Sequence, residues 1–260
     1  MSDLVLSEDH GPIRHVVLNR PEKRNAFNTE LVLATGEALA AAADDPAVRC
    51  VVVRGAGPLF SSGMDVGELG RLAETPDLLR AFRRHCIEAW NRAEEMHKPV
   101  ICAIHGACIG GALELALACD LRVLADDAIV GMPETRLGLI PDVGGSSRLP
   151  QVVGLGRAKE LVMTGKLIGA EDAERIGLAN RVAPADQLDA AVRQLADELL
   201  ACAPVAVGLA KRVMDASARP ALAATLELEV VAQERCVMTD DFAEGALAFR
   251  EKRQPEFSGR

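Results

Sequence analysis

Hydrophobic residues follow two patterns along this chain: short continuous runs, and longer stretches in which they recur at helical spacing. The short runs predict strands at residues 13–18, 50–54, 99–104, 121–123 and 129–131. In the second of these runs Val51, Val52 and Val53 follow one another, a pattern typical of a strand that is buried on both faces. The runs therefore indicate a largely buried sheet.

The longer stretches predict helices. Apolar residues recur at roughly helical spacing after Asn28, which is a suitable N-cap for a helix over 29–43. Asp241 with Glu244 resembles a capping box for the last helix. Glycine-rich residues 55–67 and the segment 133–145 are predicted to be loops. The other predicted helices cover 76–96, 111–119, 155–164, 170–176, 185–202, 204–216, 221–238 and 241–252.

The order of these elements predicts the fold class. Strands and helices alternate as far as about residue 185, which indicates an α/β body with parallel sheets. From Gly154 onward the chain is expected to be almost entirely helical. The helical tail must bury its apolar faces on the body or on another subunit.

Composition and charge exclude several classes of protein. The 260 residues include 29 Lys and Arg against 38 Asp and Glu, a net charge of −9, which argues against nucleic-acid binding. The 7 cysteines form no CxxC pair, so neither a disulfide framework nor a zinc or other metal site is expected. The acidic N-terminus shows no secretory or transit peptide, and a cytoplasmic location is expected.

One nearly uncharged stretch, residues 99–119, has the length of a membrane span. It contains His105, Glu114 and several glycines, and a glutamate in the middle of a bilayer is costly. A buried strand, a glycine turn and a buried helix explain the stretch better. No membrane association is expected.

Glu114 is the most unusual residue of the sequence because apolar residues flank it on both sides. A buried carboxylate must find a partner or take a raised pKa, and a raised pKa suits general acid–base chemistry. An ion pair with Arg122 or another cation is the structural alternative. Gly110 and Gly111 precede it at a helix start, where backbone N–H groups favour anions, although close helix packing explains two glycines equally well.

Other polar residues are weaker candidates. Residues 59–66 could supply further backbone N–H donors or form an ordinary loop between a strand and a helix. Glu134 could act as an acid or could pair with Arg136 or Arg148. Asp142, after a proline, is usually a turn residue, and His105 is expected to be structural. No phosphate-binding, nucleophile-elbow, dinucleotide or zinc motif is present.

Taken together, several segments resemble the crotonase, or enoyl-CoA hydratase/isomerase, superfamily. The resemblance runs from about residue 13 to the C-terminus, in the family's order, through the segments 19–26, 60–65, 98–115, 133–145 and 245–257. It implies a spiral of ββα units over residues 1–200 and a helical oligomerisation region over 201–260. That region builds homotrimers, usually paired into hexamers.

The resemblance also implies an acyl-CoA substrate, with no metal or redox cofactor, since coenzyme A is part of the substrate. The backbone N–H groups of Met64 and Gly111 match the family's oxyanion hole. Met64 is larger than the residue often found there, which implies altered access for the acyl chain. The residues that match the CoA-binding positions are Arg24, Ala26, Ser62, Asp65, Val66, Phe249 and Lys252.

Glu114 and Glu134 match both carboxylates of the family's hydratases. Ionised Glu114 would deprotonate a water, and protonated Glu134 would deliver a proton to the α-carbon, so a 2-enoyl-CoA hydratase of fatty-acid or related catabolism is expected. Asp142 departs from the commonest hydratase pattern. The alternative is a Δ3,Δ2-enoyl-CoA or dienoyl-CoA isomerase that uses Glu134 and Asp142, and a non-catalytic acyl-CoA-binding or RNA-associated protein is a third reading.

Overall fold

The computed structural model describes residues 4–72, 75–218 and 221–257. In this part of the chain a six-stranded sheet has the order β1-β2-β3-β4-β6-β9. Its β1–β2 pair is antiparallel and every other pair is parallel. The strands are β1 Val5–His10, β2 Ile13–Leu18, β3 Cys50–Gly55, β4 Val100–Ile104, β6 Leu121–Ala125 and β9 Arg181–Ala183.

A smaller sheet lies beside the glycine turns of the chain. The described residues place β7 at its centre, parallel to β5 on one side and antiparallel to β8 on the other. Ser61 forms an isolated parallel bridge with Cys108 of β5, which brings the loop after β3 against this sheet. The strands are β5 Ala107–Ile109, β7 Ile129–Gly131 and β8 Leu167–Gly169.

Helices cover the large sheet and form the C-terminal part of the chain. Short 3-10 turns occupy Pro21–Lys23, Glu134–Leu137 and Ala185–Gln187. The helices are α1 Thr29–Asp44, α2 Val66–Leu72, α3 Pro76–Glu95, α4 Gly111–Ala118, α5 Gly145–Val153, α6 Leu155–Thr164, α7 Ala170–Arg175, α8 Leu188–Leu200, α9 Pro204–Ala218, α10 Leu222–Cys236 and α11 Asp240–Glu251.

The core lies on both faces of the large sheet. Val51, Val52 and Val53 of β3 are all 0% exposed, although successive strand residues point to opposite faces. Phe27 meets Trp90 of α3 edge-on with ring centroids 5.0 Å apart, beneath α1. Within the described residues, no helix is both long enough and apolar enough to cross a membrane. The 99–119 stretch forms a buried strand, a glycine turn and a buried helix, as predicted.

Most of the predicted elements are confirmed, but strands β1, β5, β8 and β9 and helices α2 and α5 were missed. Strands β5, β8 and β9 have only 3 residues each. Beyond Gly154, where the chain was expected to be almost entirely helical, β8 and β9 are strands. Helix α5 begins at Gly145, the last residue of the segment predicted to be a loop, and continues to Val153. The capping box at Asp241 is also wrong, because the Thr239 side chain caps α11 by accepting from the Phe242 N–H at 3.1 Å.

The C-terminal helices pack back on the body of this same chain. Lys211 of α9 is buried, and its Nζ donates to the Ala93 carbonyl and to Asp120, each at 2.8 Å. Helix α10 packs on α3 and α5, and α11 packs on the 134–137 turn. Along α9, Val205, Leu209, Val213 and Met214 remain exposed. The division at residue 200 and the homotrimer stay predictions.

Candidate active site

Glu114 lies at the fourth position of α4, a helix in which every residue is buried. The residue is 2% exposed. Its Oε1 accepts hydrogen bonds from the backbone N–H groups of Val143 at 2.9 Å and Gly145 at 2.8 Å. A side-chain Cβ at Gly145 would come within 2.8 Å of this oxygen, so only glycine allows such an approach. Two amides therefore fix the carboxylate.

Arg122 is not the partner of Glu114. Its Nε donates to the Leu178 carbonyl at 2.7 Å, and its Nη1 donates to the carbonyls of Ala116 and Cys119. The guanidinium thus holds the end of α4 and the start of β6 in place. The ion-pair alternative for Glu114 is wrong, because backbone amides hold its carboxylate.

Glu134 begins the 3-10 turn that follows β7. Its Oε2 is buried and has no hydrogen-bond partner within the described part of the chain. A Cβ at Gly110 would lie 2.7 Å from its Oε1, which places the carboxyl group against the start of α4. Because Glu114 sits on the first turns of the same helix, the two glutamates share one site.

Neither arginine proposed as a partner for Glu134 pairs with it. Arg136 donates through Nε to the Thr164 carbonyl at 3.1 Å. Arg148 is 0% exposed, and its Nε donates to Glu94 at 2.7 Å. The ion-pair alternative for Glu134 is therefore wrong as well.

The pKa values of the two glutamates are both raised. Burial raises the pKa of Glu114, against the lowering effect of the Val143 and Gly145 N–H groups. Burial, together with the charge of Glu114, raises the pKa of Glu134 to about 8. Two N–H groups stabilise the Glu114 anion, whereas Glu134 Oε2 accepts no hydrogen bond in the described structure, so these contacts favour ionisation of Glu114 over Glu134.

Two backbone N–H groups lie beside this carboxyl pair without an acceptor in the described structure. Gly111 is the first residue of α4, so its N–H has no partner within the helix. Met64 forms an isolated parallel β-bridge with Phe27. The donors of its two hydrogen bonds are the N–H groups of Phe27 and Asp65, so the Met64 N–H is not used. A Cβ at Gly111 would lie 3.1 Å from Met64 Cγ, so the two residues are neighbours. The arrangement could hold an oxyanion.

The sequence analysis missed Arg83, which is 2% exposed on α3. It forms an ion pair with Asp142, which lies in a turn, as expected after a proline, but is only 4% exposed. Burial lowers the pKa of Arg83, while the charges of Glu114 and Glu134 raise it, so the guanidinium lies close to the carboxyl pair. Nothing in the sequence separated Arg83 from the exposed Arg80 and Arg84 on the same helix.

The structure places the N-terminal group of expected CoA-binding residues together. The Ser62 N–H donates to the Arg24 carbonyl at 3.0 Å. Arg20 donates to both the Ala26 carbonyl, at 3.0 Å, and Asp65, at 2.8 Å. Val66 begins α2 directly after Asp65. These residues form one surface beside Met64.

The other two expected CoA-binding residues lie at the end of α11. Phe249 is 56% exposed, and Lys252 ends the helix in a left-handed conformation with φ 55°. Helix α11 packs on the 134–137 turn. Among the described residues, no group of three or more His, Cys, Asp or Glu side chains could hold a metal ion.

Comparisons with known proteins agree with this arrangement. A family model described as "Enoyl-CoA hydratase/isomerase" matches residues 8–260. The chain is 36% identical over 259 residues to the enoyl-CoA isomerase/hydratase fer4 of Mycosarcoma maydis, covering 95% of this chain and 93% of that protein. It is 35% identical over 254 residues to a crotonyl-CoA hydratase of Syntrophomonas wolfei, covering 97% of each.

Solved structures share the fold. A carnitinyl-CoA hydratase from Mycobacterium avium superimposes with a TM-score of 0.87 at 33% identity, over 100% of both chains. This match confirms the expected α/β fold of the crotonase type with its helical C-terminal region. The family model, the coverage of the relatives and the common fold show that this chain belongs to the enoyl-CoA hydratase/isomerase family.

Proposed function

We propose that this chain is an enoyl-CoA hydratase, which adds water across the 2,3 double bond of a 2-enoyl-CoA thioester to give a 3-hydroxyacyl-CoA. The observation that carries the proposal is the pair of buried glutamates, Glu114 and Glu134. Two backbone amides fix Glu114, and the pKa of Glu134 is raised to about 8. Beside the pair lie two backbone N–H groups that have no acceptor in the described structure. No metal or redox cofactor enters the proposal.

Glu114 is proposed as the base. Both of its amide hydrogen bonds go to Oε1, so Oε2 remains to orient a water and to take its proton. The oxygen of that water bonds to carbon 3 of the substrate. Negative charge then develops on the thioester oxygen, where the N–H groups of Met64 and Gly111 stabilise it.

Glu134 is proposed as the acid. Its pKa of about 8 keeps the carboxyl group largely protonated at neutral pH, while the amide hydrogen bonds to Glu114 favour the ionised form of the base. It gives this proton to carbon 2 of the enolate-like intermediate, which completes the addition of one water. Two carboxyl groups with different affinities for the proton thus divide the base and acid roles.

The surface around Arg24, Ala26, Ser62, Asp65 and Val66 is proposed to hold the CoA part of the substrate. Arg24 is exposed, so its guanidinium is free to meet a phosphate, while Asp65 is occupied by Arg20. Phe249 and Lys252 are proposed to contact CoA from the end of α11. The names of the matching relatives, which include crotonyl-CoA and carnitinyl-CoA hydratases, support a CoA thioester.

The isomerase alternative needs Asp142 as a proton carrier. The ion pair with the buried Arg83 engages that carboxylate and ties it to α3. Proton transfer by Asp142 would require this pair to open inside the core, which is costly. The ion pair therefore supports the hydratase proposal over the isomerase.

The first experiment mixes the protein with crotonyl-CoA, follows the ultraviolet absorbance of the conjugated thioester and identifies the product by mass. Gain of one water is expected. Glu114→Gln and Glu134→Gln should each lower kcat by about 10²–10⁴-fold. Glu30→Gln, an exposed glutamate on α1, is the matched control.

The isomerase outcome is distinguished with a 3-enoyl-CoA. An isomerase would move the double bond of that substrate into conjugation with the thioester. If the protein does so, and if Asp142→Asn abolishes this reaction while Glu114→Gln leaves it intact, the hydratase proposal is wrong. Hydration that survives in Asp142→Asn but not in Glu114→Gln supports it.

A further inference from the structure

Three consecutive backbone amides, at residues 143–145, donate to carboxylates from two different helices. Glu114 of α4 accepts from Val143 and Gly145. The amide between them, at Gly144, donates to Oε2 of Glu229 on α10 at 2.7 Å. Glu229 is 4% exposed, so this hydrogen bond is shielded from water.

Helix α10 makes a second hydrogen bond to the same segment. Gln233 lies one helical turn after Glu229 and is 1% exposed. Its Oε1 accepts from the Ile140 N–H at 3.0 Å. One face of α10 therefore holds both ends of residues 140–145, which we call the base loop.

The base loop has little stiffness of its own in its second half. Gly144 has φ 113°, a conformation that side-chain-bearing residues rarely adopt, and Gly145 follows it. Arg148 holds the loop from the other side, through Nη1 to the Val143 carbonyl at 3.2 Å. The directions of the Val143 and Gly145 N–H groups thus depend on hydrogen bonds from outside the loop.

We propose that Glu229 is a positioning residue for the base: by holding the Gly144 amide, it aims the flanking Val143 and Gly145 N–H groups at Glu114. The inference rests on the proposed role of Glu114. Glu229 itself does not touch the substrate in this scheme. It acts through the loop, and it makes the C-terminal helix part of the machinery that prepares the base.

The charge of Glu229 is not needed for this role. Burial and the Glu114 charge raise the pKa of Glu229 to about 7, despite the lowering effect of the Ser147 side chain and of the Gly144 and Ser147 N–H groups. The carboxyl group is therefore substantially protonated at neutral pH, and a glutamine has the same shape and an equivalent acceptor oxygen. Glu229→Gln should preserve the positioning, whereas Glu229→Ala removes the acceptor.

The test compares steady-state kinetics of these variants in the full chain with the enoyl-CoA that the wild type turns over. Glu229→Ala is expected to lower kcat by about 10-fold or more, because a small misplacement of a catalytic group is costly, with KM unchanged. Glu229→Gln should recover most of that loss. Glu227→Ala, an exposed glutamate on the same helix, is the matched control and should leave both constants unchanged.

A second measurement needs no substrate. Amide hydrogen exchange of the peptide spanning the base loop should be faster in Glu229→Ala than in wild type or Glu227→Ala. Wild-type exchange or wild-type kcat in Glu229→Ala would overturn the inference, as would equal damage in Glu229→Gln and Glu229→Ala. If the wild type turned over no enoyl-CoA, the proposed function would fail, while the exchange measurement would still test whether Glu229 holds the loop.

Discussion

Replacing Gly110 by alanine tests how the start of α4 joins the two glutamates. Gly110 caps α4 with φ 57° and ψ −125°, a conformation open to glycine and strained for any residue with a side chain. The new Cβ would also lie 2.7 Å from Glu134 Oε1, which is closer than a carbon and an oxygen can approach without moving. Both backbone and acid are therefore perturbed.

The expected loss of stability follows from these two contacts. A residue held in such a conformation costs about 1–3 kcal/mol, and alanine is a poorer N-cap than glycine by roughly 1 kcal/mol. The free energy of unfolding should therefore fall by about 2–4 kcal/mol, which lowers the thermal midpoint by about 10 °C. Gly156→Ala is the matched stability control, because no atom lies within 4 Å of a Cβ added at this exposed residue of α6 and alanine favours a helix over glycine.

The assay is chemical denaturation of both variants, with crotonyl-CoA hydration measured on the folded protein. Gly110→Ala should lose stability and, because Glu134 is displaced, should also lose kcat. Gly156→Ala should unfold at or slightly above the wild-type midpoint and keep the wild-type kcat. If Gly110→Ala unfolded and turned over like the wild type, the geometry assigned to the start of α4 would be refuted.

The remaining predictions concern charge. As the pH rises through about 8, Glu134 loses its proton, so kcat should fall on the alkaline side, and a rate still level at pH 9 would contradict this role. Arg83→Met leaves Asp142 buried without its cation and should lower the free energy of unfolding, measured in urea, by about 3–5 kcal/mol. Adding Asp142→Leu to that variant should restore most of this loss. If the losses from the two substitutions simply added, the ion pair would be refuted. The pKa of Glu229 in the folded state exceeds its unfolded value of 4.5, so the folded state binds more protons than the unfolded state between pH 4.5 and about 7. The free energy of unfolding should therefore decline as the pH rises across that window. Glu229→Gln should remove that part of the decline, whereas an unchanged slope would mean that Glu229 does not titrate as described.

The elements that the sequence predicted best carry a strong local signal. Strand β2 occupies Ile13–Leu18 as expected, and Asn28 caps α1 by accepting from the Leu31 N–H at 3.0 Å. Strand β1 was missed because nearly all of its residues are exposed, so that it shows no alternation of apolar and polar positions. Its position depends on pairing with β2, a contact that no short window of sequence contains.

Site residues could be predicted from the sequence where a charged residue lies among apolar neighbours. Glu114 stands out because it lies in an apolar helix, and its burial is confirmed. Arg83 and Glu229 lie on helices with several other charged residues, and only tertiary packing decides which charge is buried. The sequence therefore indicated one carboxylate of the site directly, but could not show the cation and the third carboxyl group that surround it.

The late position of α10 in the chain has a consequence for biosynthesis. Every strand of the described structure is complete by Ala183, whereas Glu229 and Gln233, which accept the hydrogen bonds of the base loop, are translated after all of these strands. Domains begin to fold as they leave the ribosome, N-terminal part first. A growing chain can thus assemble its sheets and bury Glu114 before α10 reaches the base loop, so the nascent protein should acquire catalytic competence only after its sheets have formed.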